Sequence, residues 1–261
     1  MKQYIVDAFS EKVFSGNQAA VCILEKWLSD ELMQNIAKEN NLSETAFAVK
    51  NGDFYFLRWF TPGGEIDFCG HATLGTAYVI KRFYDTKADK ICFHTMSGDI
   101  AVNVSNDIFE MDFPQYSLNQ ISVTSDMTKA IGVQPKEAYL DRDLLLVLDS
   151  ESAIRNLEVD QEHLKKLDGL CVAVTAMSEQ FDCVSRVFAP KMQVPEDPVT
   201  GSTHCMIVPY WSRILGKKNI TAYQASDRGG VLYAMIENDR IKISGKASLY
   251  SVSEVLTDYS L

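Results

Sequence analysis

The chain lacks the short motifs by which nucleotide, serine-hydrolase and metal sites are recognised from sequence. It contains no G-x-G-x-x-G, no G-x-x-x-x-G-K-[ST] and no G-x-S-x-G, which argues against a nicotinamide or nucleotide enzyme and against a serine hydrolase. The six cysteines form no C-x-x-C pair, and the four histidines form no H-x-x-x-H pair. We therefore expect no disulfide framework, no metal site and no bound cofactor.

Long apolar runs and an excess of positive charge are also missing. No stretch approaches the ~20 apolar residues that span a bilayer, and the opening MKQYIVDAF lacks the apolar run of a signal peptide. With 25 Lys and Arg against 35 Asp and Glu, the net charge of -10 attracts neither nucleic acid nor an anionic membrane. We expect a cytoplasmic protein with neither of these partners, in which an anionic ligand is held by local backbone N–H groups.

What the sequence does contain is a succession of short strand patterns, built from alternating, β-branched or aromatic runs between positions 4 and 244. Only about four helical patterns interrupt them. Two of these, at 72–82 and 203–215, are apolar nearly all round, and a helix that is apolar on every face belongs inside a core. We predict an α+β fold in which strongly curved, mostly antiparallel sheets each wrap around one central helix.

The chain also repeats itself. Helix starts with good N-caps occur at Ser29 and Asp160, RWFTP at 58–62 matches RVFAP at 186–190, and glycines open helices at Gly70 and Gly201. These landmarks recur 128 to 131 residues apart. We predict two similar half-domains, residues 1–114 and 115–247, with a last strand at about 248–258 that returns to the first half.

The duplicated glycine–helix junctions predict a binding site for a small anionic metabolite. Gly70 and Gly201 each begin a buried helix, whose first N–H groups have no partner within the helix. Such helix ends attract carboxylates through these donors and about half a positive charge. If the halves face each other, both ends line one cleft and clamp one small acid.

One acidic residue breaks the repeat. Glu44 lies between the first helix and a strand, and its counterpart in the second half falls near positions 169–170, where no acid is present. A loop glutamate is usually a solvated surface residue. A feature that breaks an internal symmetry is nevertheless what a single acid/base would look like.

Several segments resemble one known family. VDAF (6–9), FSGN (14–17), LSETAF (42–47), RWFTP (58–62), CGHATL (69–74) and DPVTGS (197–202) occur in the order typical of PhzF-like (phenazine-biosynthesis) proteins, over about 200 residues. Any one of these motifs alone is weak, but their joint order is specific. Two departures, Gln18 after Gly-Asn and the stretch 228–231, prevent us from borrowing the substrate of the best-known member.

The resemblance implies a fold, an activity and a set of residues. PhzF-like proteins resemble diaminopimelate epimerase, with two similar halves and an active site between them, and they are commonly homodimers. The resemblance implies Glu44 as the acid/base, together with His71 and Asp197 as the other catalytic residues. It also implies substrate-binding positions at the two helix starts: Gly70, Ala72, Gly201, Ser202 and Thr203.

The cysteine pair of the epimerase is only half present. Cys69 precedes Gly70, but Thr200 and Ser202 flank Gly201, so a two-thiol racemase is disfavoured and we interpret Cys69 as a packed small side chain. We predict a cofactor-independent isomerase in which Glu44 moves a proton on a small carboxylate. The alternatives are a two-base amino-acid racemase or epimerase, with Asp197 as its second base, and a non-catalytic protein that binds a small acid.

Overall fold

The computed structural model describes residues 1–256. Its strands are β1 (Lys2–Ala8), β2 (Asn17–Leu24), β3 (Glu44–Asn51), β4 (Phe54–Thr61), β5 (Gly64–Ile66), β6 (Lys90–Thr95), β7 (Gly98–Ser105), β8 (Ile108–Pro114), β9 (Asn119–Ile121), β10 (Glu137–Leu140), β11 (Leu144–Val147), β12 (Val172–Met177), β13 (Cys183–Ala189), β14 (Val194–Asp197), β15 (Asn219–Gln224), β16 (Gly230–Glu237), β17 (Arg240–Gly245) and β18 (Ala247–Glu254). The helices are α1 (Asp30–Asn40), α2 (Gly70–Phe83), α3 (Ser125–Ile131), α4 (Glu151–Arg155), α5 (Gln161–Leu164) and α6 (His204–Leu215).

Two compact units divide the chain. The N-terminal unit comprises residues 1–112 and the segment that starts at Ser244, and the C-terminal unit comprises residues 113–243. The sequence places these boundaries at 114 and 247. β18 belongs to the N-terminal unit because it pairs antiparallel with β1 along its whole length. Positions 257 and 258 of the predicted last strand lie outside the described residues.

The N-terminal unit is a mixed sheet with a helix at its centre. β1 and β2 form an antiparallel pair, β2 runs parallel to β3, and β4 pairs antiparallel with β3 and parallel with β6. α2 packs against β1, β2, β3 and β18. Ten consecutive residues of this helix, His71 to Ile80, are buried, which only a helix covered on all sides allows.

A second apolar layer forms where α1 covers the other face of β2 and β3. Met33, Ile36 and Ala37 of α1 are buried against Cys22 and Phe47, so the two strands are buried on both faces. This explains their nearly continuous apolar sequences, which are typical of parallel pairs. Ser29 caps α1 by accepting a hydrogen bond from the Leu32 amide, as the sequence predicts.

The C-terminal unit repeats this arrangement strand by strand. β10 and β11 are antiparallel, β11 runs parallel to β12, and β13 pairs antiparallel with β12 and parallel with β15. α6 is its central helix, with eight consecutive buried residues from His204 to Trp211, and it ends at Gly216 in the left-handed conformation. Together the two units confirm the predicted α+β fold built on internal duplication.

The same ion pair recurs in both units. Arg58 on β4 makes two hydrogen bonds to Glu65 on β5, and Arg186 on β13 makes two to Glu196 on β14. In each unit the guanidinium also lies 5.1 Å from the ring of the phenylalanine two residues further along its strand. Such two-pronged pairs are geometrically specific, and they fix the short strand that leads to each central helix.

The helix predicted to begin near Asp160 is present but short. Asp160 does cap a helix, since its carboxylate accepts from the Glu162 and His163 amides, but α5 ends after one turn at Leu164. The chain has to pass close to β11, where Gly169 adopts a φ of +84° and a Cβ would lie 2.6 Å from the Leu144 nitrogen. This passage leaves no room for a helix as long as α1. Among residues 1–256, no helix is long and apolar enough to cross a membrane.

Candidate active site

The first predicted site residues meet in the N-terminal unit, where β3 begins beside the start of α2. Glu44 is the first residue of β3 and pairs with Ala19 of the parallel strand β2. His71 is the second residue of α2, and Cys69 is its N-cap. The amino end of β3 and the amino end of α2 bring these three side chains together.

Glu44 and His71 are in close contact. The Oε2 atom of Glu44 lies 2.9 Å from Nε2 of His71, and the side chains are 15% and 8% exposed, respectively. The two atoms are at ion-pair distance but not aligned as a hydrogen bond. The carboxylate therefore keeps enough exposure for a substrate to reach it, while the imidazole beside it is shielded from water.

The charge of His71 is decided by its neighbours. Burial of the ring lowers its pKa, but nearby negative charge outweighs burial and holds the pKa of His71 well above its ordinary value of 6.5. Burial and the Glu44 charge raise the pKa of the Cys69 thiol to about 11, so Cys69 is neutral at pH 7. Cys69 and, after it, Glu44 are the neighbours that raise the pKa of His71, and the negatively charged one at neutral pH is the Glu44 carboxylate.

Cys69 is more than the packed side chain that the sequence suggests. It is buried, and its Sγ lies 3.4 Å from Nδ1 of His71. Among residues 1–256, one group of three possible metal ligands of the His, Cys, Asp and Glu types has its ligand atoms within 4.8 Å of one another. It consists of Glu44, Cys69 and His71. A single ion can use only one ring nitrogen, yet Cys69 and Glu44 lie against different nitrogens. The geometry therefore suits proton transfer better than metal binding.

A fourth residue at this site, Asn17, has no role in the sequence-based prediction. It is 1% exposed, and its Nδ2 lies 3.2 Å from Nδ1 of His71. Asn17 stands in the FSGN segment that carries part of the family resemblance, so its position was visible in the sequence. Its contact was not, because 54 residues separate it from His71.

The raised pKa of His71 predicts how stability depends on pH. A group whose folded pKa lies above its unfolded pKa of about 6.5 stabilises the protein fully below that pH, and this contribution is lost as the pH rises through the folded pKa. We expect this contribution to shrink in Glu44→Gln, because one of the two neighbours that raise the pKa of His71 is then lost while burial still lowers it. Urea unfolding at about pH 5.5 and pH 8 measures both proteins. Parallel pH profiles of the two proteins would contradict the coupling.

In the C-terminal unit, Asp197 is held in a tightly bonded loop before α6. Its Oδ2 accepts a hydrogen bond from the Thr200 hydroxyl at 2.5 Å. Gln224, which is fully buried on β15, accepts from the Thr200 amide at 2.8 Å and donates to the Asp197 carbonyl at 2.6 Å. Because the oxygen and the nitrogen of the buried Gln224 amide each have a partner in this loop, Gln224 holds the loop in place.

Gln224 is a residue that the sequence-based prediction missed, and its substitution should loosen the Asp197 loop. We expect Gln224→Leu to cost about 2 to 4 kcal/mol of unfolding free energy, because a buried N–H and a buried C=O both lose their partner. Gln224→Glu keeps an acceptor for Thr200 but places a buried carboxylate against the Asp197 carbonyl oxygen, so it should cost at least as much. Urea unfolding compares the variants, and a loss for Gln224→Leu no larger than the about 0.5 kcal/mol of a surface substitution would argue against this role of Gln224.

At the start of α6, the predicted substrate-binding side chains point inward. Thr203 is fully buried, and its hydroxyl donates to the Asp143 carboxylate at 2.9 Å. His204 is also buried; its Nδ1 donates to the Thr200 carbonyl, and burial lowers its pKa to about 4, so it is neutral. In the N-terminal unit, Ala72 is likewise fully buried. Ala72 and Thr203 can therefore offer a ligand only their backbone groups.

The strand registers show which residue of the C-terminal unit is equivalent to Glu44. Thr45 pairs with Ala20, and Val172 pairs with Leu144, at the matching place of the second unit. The residue before Val172, and hence the equivalent of Glu44, is Cys171, one position beyond the expected 169–170. Burial raises the pKa of the Cys171 thiol to about 12, so this position carries no charge at neutral pH. The C-terminal unit therefore has no acidic residue at the position equivalent to Glu44.

The structure thus groups the predicted site residues by unit. Glu44, Gly70, His71 and Ala72 belong to the N-terminal unit, where the first and third are in contact. Asp197, Gly201, Ser202 and Thr203 belong to the C-terminal unit, where they form the loop and the turn before α6. Cys69 and Asn17 join the first group, and Gln224 and Asp143 join the second.

Comparison with known proteins finds relatives that match nearly the whole chain. The family model described as phenazine biosynthesis-like protein (PhzC-PhzF) matches residues 6–252. An uncharacterised isomerase of Pseudomonas aeruginosa is 45% identical over 251 residues, covering 96% of each chain. The crystal structure of a PhzF-family protein from Enterococcus faecalis, 46% identical, superposes with a TM-score of 0.96 over 98% of both chains.

A more distant likeness concerns the fold alone. A hydroxyproline epimerase from Agrobacterium vitis, only 10% identical, aligns with a TM-score of 0.62 over 100% of this chain and 93% of its own. The expected epimerase-like fold is therefore confirmed, and relatives named as isomerases confirm the prediction of an enzyme of the isomerase class. On the match of a family model to nearly its whole length, the chain belongs to the phenazine biosynthesis-like (PhzC-PhzF) family.

Proposed function

We propose that this protein is an isomerase that moves a proton between two carbons of a small carboxylate-bearing metabolite, with Glu44 as its general acid/base. The observation that carries the proposal is the contact of the mostly buried Glu44 carboxylate with His71, 2.9 Å away, at the amino end of the buried helix α2. A carboxylate in this setting can accept a proton from carbon and return it.

The proposed reaction is redox-neutral, since it only moves a proton and a double bond. Glu44 takes a proton from a carbon next to a carboxyl or conjugated group, and the electron pair of the broken C–H bond moves into the conjugated system. The resulting negative charge is stabilised by the N–H groups at the start of α2 and by the positive charge of His71. Glu44 then delivers a proton, either the one it took or one exchanged with solvent, to another carbon, and the double bond has moved.

His71 supports both halves of this cycle. Its pKa is raised by Cys69 and by Glu44, so the ring holds a proton beside the developing anion. When Glu44 becomes a neutral acid, the pKa of His71 falls, because one of the two influences that raise it has gone. The pair therefore carries one mobile proton between the reaction steps, and Cys69 stays a neutral thiol throughout.

Carbon-bound hydrogen exchange tests the proposal. The purified protein is incubated in D₂O with a panel of small unsaturated and hydroxylated carboxylic acids, and proton NMR follows deuterium uptake at carbon and the position of the double bond. Deuterium uptake with movement of the double bond supports the isomerase. Inversion of a stereocentre without such movement would favour a two-base epimerase. An acid that raises the melting temperature but never exchanges would identify a binding protein.

A further inference from the structure

The two nitrogens of the His71 ring have chemically different neighbours. Nε2 faces the Glu44 carboxylate at 2.9 Å, and a carboxylate can only accept a hydrogen bond. Nδ1 lies 3.2 Å from the amide nitrogen of Asn17 and 3.4 Å from Sγ of Cys69. An amide nitrogen can only donate, so Nδ1 serves Asn17 as an acceptor.

We propose that Asn17 is a positioning residue that makes Nδ1 an acceptor in the neutral His71 ring and so places the ring's N–H at Nε2, the nitrogen that lies 2.9 Å from Glu44. The contact that fixes one ring nitrogen decides which tautomer the ring adopts. With Asn17 donating to Nδ1, the neutral ring carries its hydrogen at Nε2, on the side of the acid/base. The proton that the ring gains or loses on titration is then the one at Nδ1.

Asn17 is held rigidly enough for this task. It opens β2 and pairs with Ala8 of β1. Just before it, Phe14 and Gly16 have φ angles of +70° and +71°, a conformation that residues other than glycine rarely adopt. A Cβ on Gly16 would lie 2.2 Å from the Ala8 carbonyl oxygen. Backbone strain of this kind persists where the surrounding structure fixes it, and it is found near functional sites.

Asn17 and Glu44 act on the ring in opposite directions. The titratable groups that act on His71 are Cys69, before α2, and Glu44, at the start of β3. The Glu44 carboxylate favours the charged ring, whereas the Asn17 N–H at Nδ1 favours the neutral one. A second proton at Nδ1 would leave Asn17 without an acceptor there and would turn to the weakly accepting sulfur of Cys69. Asn17 therefore limits how far Glu44 raises the pKa of His71.

NMR of the ring nitrogens in the resting protein tests this inference, and it needs no substrate. In the wild type above the His71 pKa, we expect the Nε2–H tautomer with an unprotonated Nδ1. Asn17→Leu, which is close in size but cannot donate, should raise the pKa of His71 by about half to one unit and mix the tautomers. Asn17→Asp, with a carboxylate against Nδ1, should raise the pKa by about one to three units.

The control is Thr76→Val. It removes a buried hydroxyl of α2 that donates to the Ala72 carbonyl, and it should leave the pKa of His71 unchanged. The three other histidines are internal references. An Nδ1–H tautomer in the wild type would overturn the inference, and so would an unchanged pKa in both Asn17 variants. If neither variant folds, the wild-type tautomer decides alone.

The effect of Asn17 on turnover rests on the proposed function, whereas its effect on the His71 tautomer does not. The two proposals can fail separately: carbon-bound hydrogen exchange tests Glu44 as the acid/base, whereas the tautomer and pKa of His71 are properties of the free protein. A ring with the expected tautomer in a protein that exchanges no substrate would leave the Asn17 inference standing and remove the function.

Discussion

Glu44→Gln should lower the rate of carbon-bound proton exchange by about 10² to 10⁴-fold, the usual contribution of a positioned general base. The amide keeps the size of the carboxylate but cannot take a proton from carbon. It also removes one of the two influences that raise the pKa of His71, Cys69 being the other, so the pKa of the ring beside the substrate should fall. The measurement is deuterium uptake from D₂O into a turned-over acid, followed by NMR for both proteins.

A matched control separates the loss of this carboxylate from a loss of negative charge. Glu39→Gln removes an exposed glutamate on α1 and should leave the exchange rate unchanged. Glu44→Asp keeps a base but withdraws it by about one methylene, so its rate should lie between those of the wild type and the Gln variant. Full exchange by Glu44→Gln would remove this residue from the mechanism and leave His71 or another group as the base.

The sequence predicts the elements that depend on local pattern. The two central helices are visible because apolar residues cover every face of α2 and most faces of α6, and burial on all sides is the one environment that fits such a pattern. The duplicated topology is visible because RWFTP and RVFAP mark the same strand twice. The ion pairs of Arg58 and Arg186 show that this likeness extends to side-chain contacts.

What the sequence misses depends on chain passages and distant contacts. α5 stops after one turn because the chain must pass close to β11 at Gly169, a constraint no helix pattern reveals. β15 was not predicted because its sequence NITAYQ contains Asn, Ala and Gln, which are poor strand formers. Its pairing with β13 and β16 overrides that local preference.

The candidate site shows the same division. Glu44 and His71 stand in motifs that the sequence displays, and the structure brings them together. The partners that orient them do not stand in adjacent sequence. Asn17 reaches His71 across 54 residues, and Gln224 reaches Thr200 across 24. Buried polar side chains of this kind satisfy specific partners, and only the folded chain tells which partners these are.

Comparison of the two units explains why one acid/base is expected rather than two. Both units build the same strand–strand–helix junction, but the position of Glu44 is taken by Cys171 in the second. A thiol with a pKa of about 12 is a poor base at neutral pH. Its neighbour Asp143 supplies charge to the C-terminal junction instead, and Asp143 is fully buried. Its task is therefore structural: it ties β11 to the start of α6.

Asp143→Ala should cost about 2 to 5 kcal/mol of unfolding free energy, because two buried donors lose their acceptor. The Asp143 carboxylate accepts from the Cys171 amide at 3.2 Å and from the Thr203 hydroxyl at 2.9 Å. Nη1 of Arg142 lies 3.5 Å from the carboxylate without a hydrogen bond to it. Alanine would leave the two donors without an acceptor and the guanidinium without its ion-pair partner, and urea unfolding measures the loss.

Graded variants distinguish the lost charge from the lost acceptor. Asp143→Asn keeps one acceptor oxygen, so it should destabilise the protein less than alanine does. Asp141→Asn changes an exposed neighbour and should stay within about 0.5 kcal/mol of the wild type. If Asp143→Ala were as stable as this control, the two donors would have other acceptors, and the start of α6 would be held by its apolar packing instead. An equal loss for Asn and Ala would assign the stabilisation to the charge beside Arg142 rather than to the two hydrogen bonds.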